Sequence, residues 1–277
     1  MLEMELYWYF VTFAFGTIVG SFLNVVIYRL HTGRSLNGRS HCLSCGKTLS
    51  WYELVPLISY VTLRARCKFC SSHIPSRYFL VELLTGASYL VLWYIFHADV
   101  VLFFLNIVLI SVGIVIVIYD IRHTVIPDEM TVLITVVAFV MLAYTMFVSK
   151  LYIHTATASL LGGFEATLFL GGLWYISKGR WIGFGDVKLA FPLGVIAGSW
   201  GAISMVVMAF WIGAVVSLVL LGILRVLKTG TTYLPHAVRT ITIKSEIPFA
   251  PFLIAGFLSV YLFHADIFEI TSWFFPY

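Results

Sequence analysis

The chain of 277 residues is apolar along most of its length and carries few charges. Hydrophobic residues make up 61% of it and charged residues 11%, and its formal net charge is +4. A soluble domain has roughly 25% charged residues and about 45–50% apolar ones. One water-soluble core is therefore excluded, and the composition indicates a protein that crosses a membrane several times. No nucleic-acid partner is predicted.

Eight apolar runs follow one another along the chain, most of them near the roughly 20 residues that a span requires. They cover residues 7–28, 78–96, 100–119, 130–148, 151–176, 187–197, 202–224 and 249–268. Residues 188–228 are too many for one crossing, so a hairpin is expected at 198–201. The first run lacks the basic start of a signal peptide and is interpreted as a retained span. The sequence predicts an all-α polytopic membrane protein of about eight transmembrane helices.

Lysines and arginines fall almost entirely on one side of these spans. With the loop after the first span in the cytosol, that side receives sixteen of the 17 basic residues, and only Lys150 lies outside. The sixteen are Arg29, Arg34, Arg39, Lys47, Arg64, Arg66, Lys68, Arg77, Arg122, Lys178, Arg180, Lys188, Arg225, Lys228, Arg239 and Lys244. Cytosolic loops are enriched in such residues, so both termini are predicted outside the cytosol. The predicted divisions are a first span (1–28), a cytosolic loop (29–77) and a membrane domain of seven helices (78–277).

The cytosolic loop contains all four cysteines of the chain, in two Cys-x-x-Cys pairs separated by 21 residues. The pairs are Cys42 with Cys45 and Cys67 with Cys70. This spacing is typical of a structural zinc site, in which four thiolates complete a tetrahedral shell. Two disulfides are the alternative, which a reducing cytosol disfavours. His41 and His73 flank the pairs and are spare ligands at most.

Two aspartates lie at the predicted cytosolic boundary of the membrane. Asp120 closes the third span, and Asp186 opens the sixth within the sequence Gly-Phe-Gly-Asp. If the fold brings them together, one carboxylate can take a proton from an attacking water while the other donates one to a carbonyl oxygen. The competing interpretation is that each caps a helix end. That suits Asp186 at a helix start, but the helix dipole disfavours a negative charge at the end that Asp120 occupies.

The order of these motifs resembles the type IV prepilin peptidases, which are bacterial leader peptidases and N-methyltransferases of pilin-like proteins. Residues 20–30 (GSFLNVVIYRL), 56–60 (PLISY) between the cysteine pairs, and 74–78 (IPSRY) with 81–83 (VEL) carry the first part of the resemblance. Asp120 followed by 126–128 (IPD), 183–189 (GFGDVKL) and 247–253 (IPFAPFL) carry the second.

The resemblance implies that Asp120 and Asp186 form the catalytic pair and that Asp128 belongs to the surrounding pattern. It implies a substrate, a prepilin or pseudopilin precursor whose short basic leader is removed after a glycine on the cytosolic face of the bacterial inner membrane. The new N-terminal residue is then methylated from S-adenosylmethionine, and residues 20–29 and the zinc loop are the parts linked to that step. Membrane lipids are the other expected partners.

Two positions depart from the family pattern. Ala250 stands where a glycine is expected, and its extra methyl group is predicted to change little. Glu165 places a carboxylate inside the fifth span, either as a neutral buried acid or paired with another residue.

Two other functions fit parts of the sequence. Tyr119-Asp120 and the Gly-x-Gly-Asp motif also resemble presenilin-type proteases, which cut within a span, although the cysteine loop argues against them. A transporter with a zinc-stabilised gate needs ionisable groups near the bilayer midplane, where only Glu165 is predicted.

Overall fold

The structure is a computed structural model that describes residues 2–30, 32, 35, 37–149, 152–230 and 248–265. Its helices are α1 (Leu2–Arg29), α2 (Ile58–Thr62), α3 (Ser76–Phe96), α4 (Val100–His123), α5 (Asp128–Ser149), α6 (Tyr152–Ser177), α7 (Phe184–Gly230) and α8 (Ala250–Phe263), with a 3-10 turn at Trp51–Leu54. Of these, α1, α3, α4, α5, α6 and α7 are long and apolar enough to cross a membrane, and α8 is a shorter apolar helix. The predicted all-α polytopic membrane fold is confirmed.

Local sequence signals set several helix boundaries. Pro75 precedes α3, and α5 follows Pro127 with Asp128 and Glu129 in its first turn. The Asp99 carboxylate accepts hydrogen bonds from the first backbone N–H groups of α4, at 3.0 and 3.1 Å. Proline fits a helix start because no N–H is needed there, and acidic side chains favour the positive end of the helix dipole.

Helix α7 reverses direction within its length. Trp174 on α6 packs against Phe184 with ring centroids 5.1 Å apart, and Phe169 packs against Phe210 at 6.4 Å. A straight helix would separate Phe184 and Phe210 by about 39 Å, so both contacts require a turn between them. Gly198 provides it with φ 74° and ψ 173°, a conformation almost restricted to glycine. The predicted hairpin is confirmed. Five other long helices, the two parts of α7 and the shorter α8 give eight apolar helical segments in the part of the chain that the structure describes.

The turn of this hairpin lies against α6. A Cβ added at Gly162 would lie 2.4 Å from the carbonyl carbon of Gly198, and one added at Gly194 would lie 2.5 Å from the carbonyl oxygen of Gly162. Such contacts exclude any side chain, so the two backbones touch directly. Small residues commonly allow this close approach of helices within membranes.

The chain forms two compact units, residues 1–118 and 119–277. The first contains α1 to α3, the cysteine loop and most of α4, and the second contains the end of α4 and α5 to α8. The division at residues 28 and 77 stays a prediction. Arg34, Lys150, Arg239 and Lys244 lie outside the described residues, as do residue 247 of the late motif and residues 266–268 of the last predicted span.

Candidate active site and cysteine cluster

Asp186 lies in the first turn of α7 and is 7% exposed. Its Oδ2 accepts a hydrogen bond from the backbone N–H of Gly183 at 3.2 Å, as an acidic residue in a capping box does. Its Oδ1 is buried and has no hydrogen-bond partner among the described residues. Capping therefore accounts for one oxygen of Asp186, while the other lacks the partner that buried polar atoms normally have.

Asp120 lies near the end of α4 and is 5% exposed. Its Oδ2 accepts a hydrogen bond from the backbone N–H of Ala250 at 3.2 Å. Ala250 is the first residue of α8, and Phe249 before it supplies no side-chain cap. The carboxylate thus lies at the positive end of α8, which the sequence could not reveal. The unfavourable dipole of its own helix is offset by that of another.

The alanine at position 250 was predicted to change little relative to a glycine. The structure shows that this residue belongs to the site, which the sequence did not indicate. Its side chain is fully buried, and its backbone N–H is the group that binds Asp120. Because any residue except proline supplies that N–H, the identity of the side chain gave no signal. The late motif itself was the only indication in the sequence.

The second unit brings Asp120 and Asp186 together. The two carboxylates are close enough for the charge of Asp120 to act on Asp186. Asp120 accepts a hydrogen bond from the first backbone N–H of α8. Asp186 accepts one from the backbone N–H of the residue just before α7. Two buried carboxyl groups with one unpartnered oxygen form an arrangement that can hold and activate a water molecule.

Neighbouring residues fix the backbone around the pair. A Cβ at Gly185 would lie 3.1 to 3.3 Å from the side chain of Ile126, so glycine permits the start of α7 to approach the loop before α5. Lys188 forms an ion pair with Asp128, whose side chain is 73% exposed. Asp128 is therefore exposed and paired with a lysine, and its place outside the catalytic pair stays a prediction.

Glu165 has a hydrogen-bond partner, as one of the two alternatives from the sequence predicted. The Ser199 hydroxyl lies 2.9 and 2.8 Å from its two carboxylate oxygens. Ser199 follows Gly198 at the turn of α7, so the pair joins α6 to the hairpin.

The four cysteines of the first unit form one cluster. The Sγ atoms of Cys42, Cys45, Cys67 and Cys70 all lie within 4.8 Å of one another, and no disulfide joins them. The Sγ atoms of Cys42 and Cys70 are 3.8 Å apart. Sulfurs bound at about 2.3 Å to one tetrahedral ion are roughly 3.8 Å apart. The cluster therefore fits a metal ion, and neither His41 nor His73 belongs to it.

Each cysteine pair lies in a small turn closed by a β-bridge. The bridges are His41 with Thr48 and Arg66 with His73. Gly46, which follows Cys45, has a φ of 70°, in the left-handed region that favours glycine. The backbone N–H of Cys45, followed by smaller hydrogen-bond contributions, lowers the pKa of the Cys42 thiol to about 6, and the Ser72 hydroxyl is the main cause of a lowered pKa at Cys70. Both effects favour the thiolate form that binds metals, whereas burial and the neighbouring thiols of Cys42 and Cys70 raise the pKa of Cys45 to about 11.

Family comparisons match both units. The Bacterial Peptidase A24 N-terminal domain matches residues 14–96, which include the four cysteines. The Type IV leader peptidase family matches residues 107–218, which include Asp120 and Asp186. No solved structure gives a match.

Three curated relatives are named prepilin leader peptidase/N-methyltransferase. One from Myxococcus xanthus is 35% identical over 79% of this chain and 63% of its own length. One from Bacillus subtilis is 31% identical over 91% of this chain and 93% of its own. One from Vibrio cholerae is 30% identical over 69% of this chain and 79% of its own. Since these matches extend over most of the sequence and over both groups of site residues, the chain belongs to the type IV leader peptidase family.

Proposed function

We propose that this protein is a membrane aspartic endopeptidase that removes the leader of a prepilin or pseudopilin precursor and N-methylates the new N-terminal residue. Family membership supports the reaction class. The observation that carries the catalytic assignment is the buried pair of Asp120 and Asp186 in the second unit, with one carboxylate oxygen that has no partner among the described residues.

The pair performs hydrolysis by dividing the work of acid and base. One carboxylate accepts a proton from a water molecule as the water oxygen attacks the carbonyl carbon of the scissile peptide bond. The other carboxyl group donates a proton to the carbonyl oxygen, which gives a neutral tetrahedral intermediate. Proton transfer to the leaving nitrogen then breaks the C–N bond. The backbone N–H groups of Gly183 and Ala250 hold the two side chains in place.

Substitution of either aspartate tests this assignment. Asp120→Asn and Asp186→Asn keep the shape and the hydrogen-bond acceptor of each side chain but remove the ionisable group. Each is expected to lower the cleavage rate of a prepilin precursor by about 10²- to 10⁴-fold, as measured by mass spectrometry of the products, while membrane insertion is unchanged. Product masses also locate the cut, and a cut inside the apolar helix would indicate a presenilin-type reaction.

Asp128→Asn is the matched control because it makes the same change at an exposed aspartate that binds Lys188. It is expected to change the cleavage rate by only a few-fold. Wild-type cleavage by either Asp120→Asn or Asp186→Asn would remove that residue from the mechanism.

The cysteine cluster supports a structural zinc ion in the cytosolic loop. Four sulfur donors at these separations suit Zn²⁺ and complete its shell, which leaves no position for a substrate. Zinc would hold the loop in one shape without acting in catalysis. The expected content is one zinc ion per chain by elemental analysis, and a metal-free, fully active protein would contradict the proposal.

The proposed orientation places the cysteine loop and both aspartates on the cytosolic side of the bacterial inner membrane, with both termini outside. The distribution of basic residues supports it. In this orientation, the basic leader of the proposed prepilin substrates, from type IV pilus or type II secretion systems, would lie on that side. Reporter fusions after residues 68 and 150 are expected to indicate opposite sides of the membrane, and the same side for both would contradict this orientation.

A further inference from the structure

The first unit contains a cavity of about 210 Å³ that the peptidase mechanism does not use. Its walls come from the end of α1, the cysteine loop and the start of α3. A cavity needs only about 10–15 Å³ to hold a water molecule, so this one is large enough for an organic group.

Two buried carboxylates line this cavity. Glu53 is 7% exposed and Glu82 is 9% exposed. The Oε2 of Glu82 accepts the backbone N–H of Leu57 at 2.8 Å, and the Oε2 of Glu53 accepts the N–H of Ser50 at 2.8 Å. The Oε1 of Glu53 is buried and has no hydrogen-bond partner in the described part of the chain.

Neither glutamate forms an ion pair with a lysine or arginine among the described residues. The cationic side chains that line the cavity are engaged elsewhere. Arg29 donates from Nη1 to the carbonyl oxygens of Ser35 and Asn37 at 2.7 and 2.9 Å. Lys68 donates to the Tyr52 hydroxyl at 3.3 Å. Buried carboxylates with no cation in direct contact are costly, so the cavity suits a ligand that brings a positive charge next to the two glutamates.

Aromatic side chains form part of the same cavity. The rings of Tyr60 and Phe79 are 5.3 Å apart between centroids, and Tyr28 and Tyr78 also line the cavity. Aromatic faces attract organic cations and stack against planar rings. The two glutamates and the rings together suit a ligand that combines an organic cation with a planar heterocycle.

We propose that this cavity binds the methyl donor S-adenosylmethionine, and that Glu53 and Glu82 hold its positive charge. The assignment rests on the proposed N-methylation, for which the donor is required. When bound, the donor supplies a methyl group on positively charged sulfur. The Oε1 of Glu53, which has no partner within the described ranges, matches its cationic part, and the aromatic walls match its planar part.

Binding measured by calorimetry on the purified full chain in detergent tests the proposal. The probes are S-adenosylmethionine and 5′-methylthioadenosine, which has the adenosine and the thioether but no cation. Glu53→Gln and Glu82→Gln each keep an oxygen acceptor for the backbone N–H and lose the charge. Each is expected to weaken S-adenosylmethionine binding by about tenfold or more, since hydrogen bonds to charged groups contribute about 1.5–3 kcal/mol. Binding of 5′-methylthioadenosine is expected to change by less than about threefold.

Glu165→Gln is the matched control, because it makes the same substitution at a partly buried carboxylate of the other unit, and its binding of both probes is expected to equal that of the wild type. Unchanged S-adenosylmethionine binding in Glu53→Gln and Glu82→Gln would overturn the proposal. Equal loss of both probes would also overturn it, since that indicates damage to the cavity and not loss of charge recognition.

A processed pilin peptide with a free N-terminal amine is the other cation that could enter. It is expected to bind together with S-adenosylmethionine, and displacement of the donor by the peptide would assign the cavity to the acceptor instead. Prepilin processing by the wild type is assayed in parallel. If the wild type neither cleaves nor methylates the substrate in this assay, the proposed function is refuted. If it methylates the substrate but donor binding does not change in Glu53→Gln and Glu82→Gln, only this inference is refuted.

Discussion

At the scale of single residues, Asp186 shows how one side chain can cap a helix and still keep an oxygen available for the proposed chemistry. Its Oδ2 caps α7 through Gly183, and its Oδ1 has no partner among the described residues. The sequence left capping and catalysis as competing interpretations of this residue. They are compatible because a carboxylate has two oxygens, and only the three-dimensional arrangement shows how each is used.

The partner of Asp120 could not be read from the sequence. Ala250 is 130 positions away, and the bond uses its backbone, which every residue except proline shares. The partner of Glu165 was hidden for a similar reason, because Ser199 reaches it only after α7 turns at Gly198. Residue types and motif order identified the candidate catalytic residues, whereas their partners depend on helix packing.

Ser199→Ala is expected to destabilise the protein by about 1–3 kcal/mol, because it leaves the Glu165 carboxylate without its hydroxyl donor. The measurement is thermal or denaturant unfolding in detergent micelles. Ser199→Ala combined with Glu165→Leu removes both polar partners and is expected to recover part of that loss. Equal stability of Ser199→Ala and the wild type would show that the pair contributes nothing.

At the scale of helices, hydropathy located the segments well because a membrane span must be apolar over its whole length. The predicted runs 78–96 and 100–119 correspond to Ser76–Phe96 and Val100–His123. Which helices touch could not be predicted, because a helix that is apolar all round has no single face that marks its neighbours. The contact of Gly162 with the turn at Gly198 is such a case.

The first part of α7, residues 184–197, also differs from a complete span. Its 14 residues extend about 21 Å, which is less than the roughly 30 Å of a hydrocarbon core. The turn at Gly198 lies beside Gly162, ten residues into α6. The sequence indicated that this segment is short, and the structure shows that its turn meets the interior of α6 and not its end.

Gly162→Ala is expected to destabilise the protein by about 1–3 kcal/mol, because the new methyl group would overlap the backbone at Gly198 and push α6 and α7 apart. The measurement is unfolding in micelles. Gly172→Ala on the same helix has nothing within 4 Å of the added Cβ and is expected to be neutral or to stabilise by up to about 1 kcal/mol. Similar effects of the two substitutions would contradict direct backbone contact.

At the scale of the whole molecule, the two proposed activities fall in different units. Residues 119–277 contain both aspartates, and residues 1–118 contain the cysteine cluster and the cavity with Glu53 and Glu82. The composition and the cysteine spacing predicted a membrane protein with a metal-stabilised loop. The cavity was not predicted, because its walls come from three segments that are separate in sequence.

Cys70→Ser is expected to remove the bound metal and to reduce methylation strongly, because metal binding contributes to the folding of small metal-stabilised domains and the loop forms one wall of the cavity. Leader cleavage is expected to stay within about threefold of the wild type. Elemental analysis measures the bound metal, and mass spectrometry of the substrate measures both leader cleavage and methylation. Ser71→Ala changes an exposed residue of the same turn that is not a ligand and is expected to retain both activities. Equal loss of cleavage and methylation in Cys70→Ser would contradict the separation.

The hydrogen bond between Asp120 and Ala250 has a consequence for biosynthesis. A ribosome completes Asp120 and Asp186 well before it reaches residue 250, so a nascent chain can hold both aspartates without the backbone group that positions one of them. In the proposed mechanism, the catalytic pair is therefore complete only after α8 has been made. A partly synthesised chain would lack the hydrogen bond that positions Asp120, and we expect it to cleave poorly.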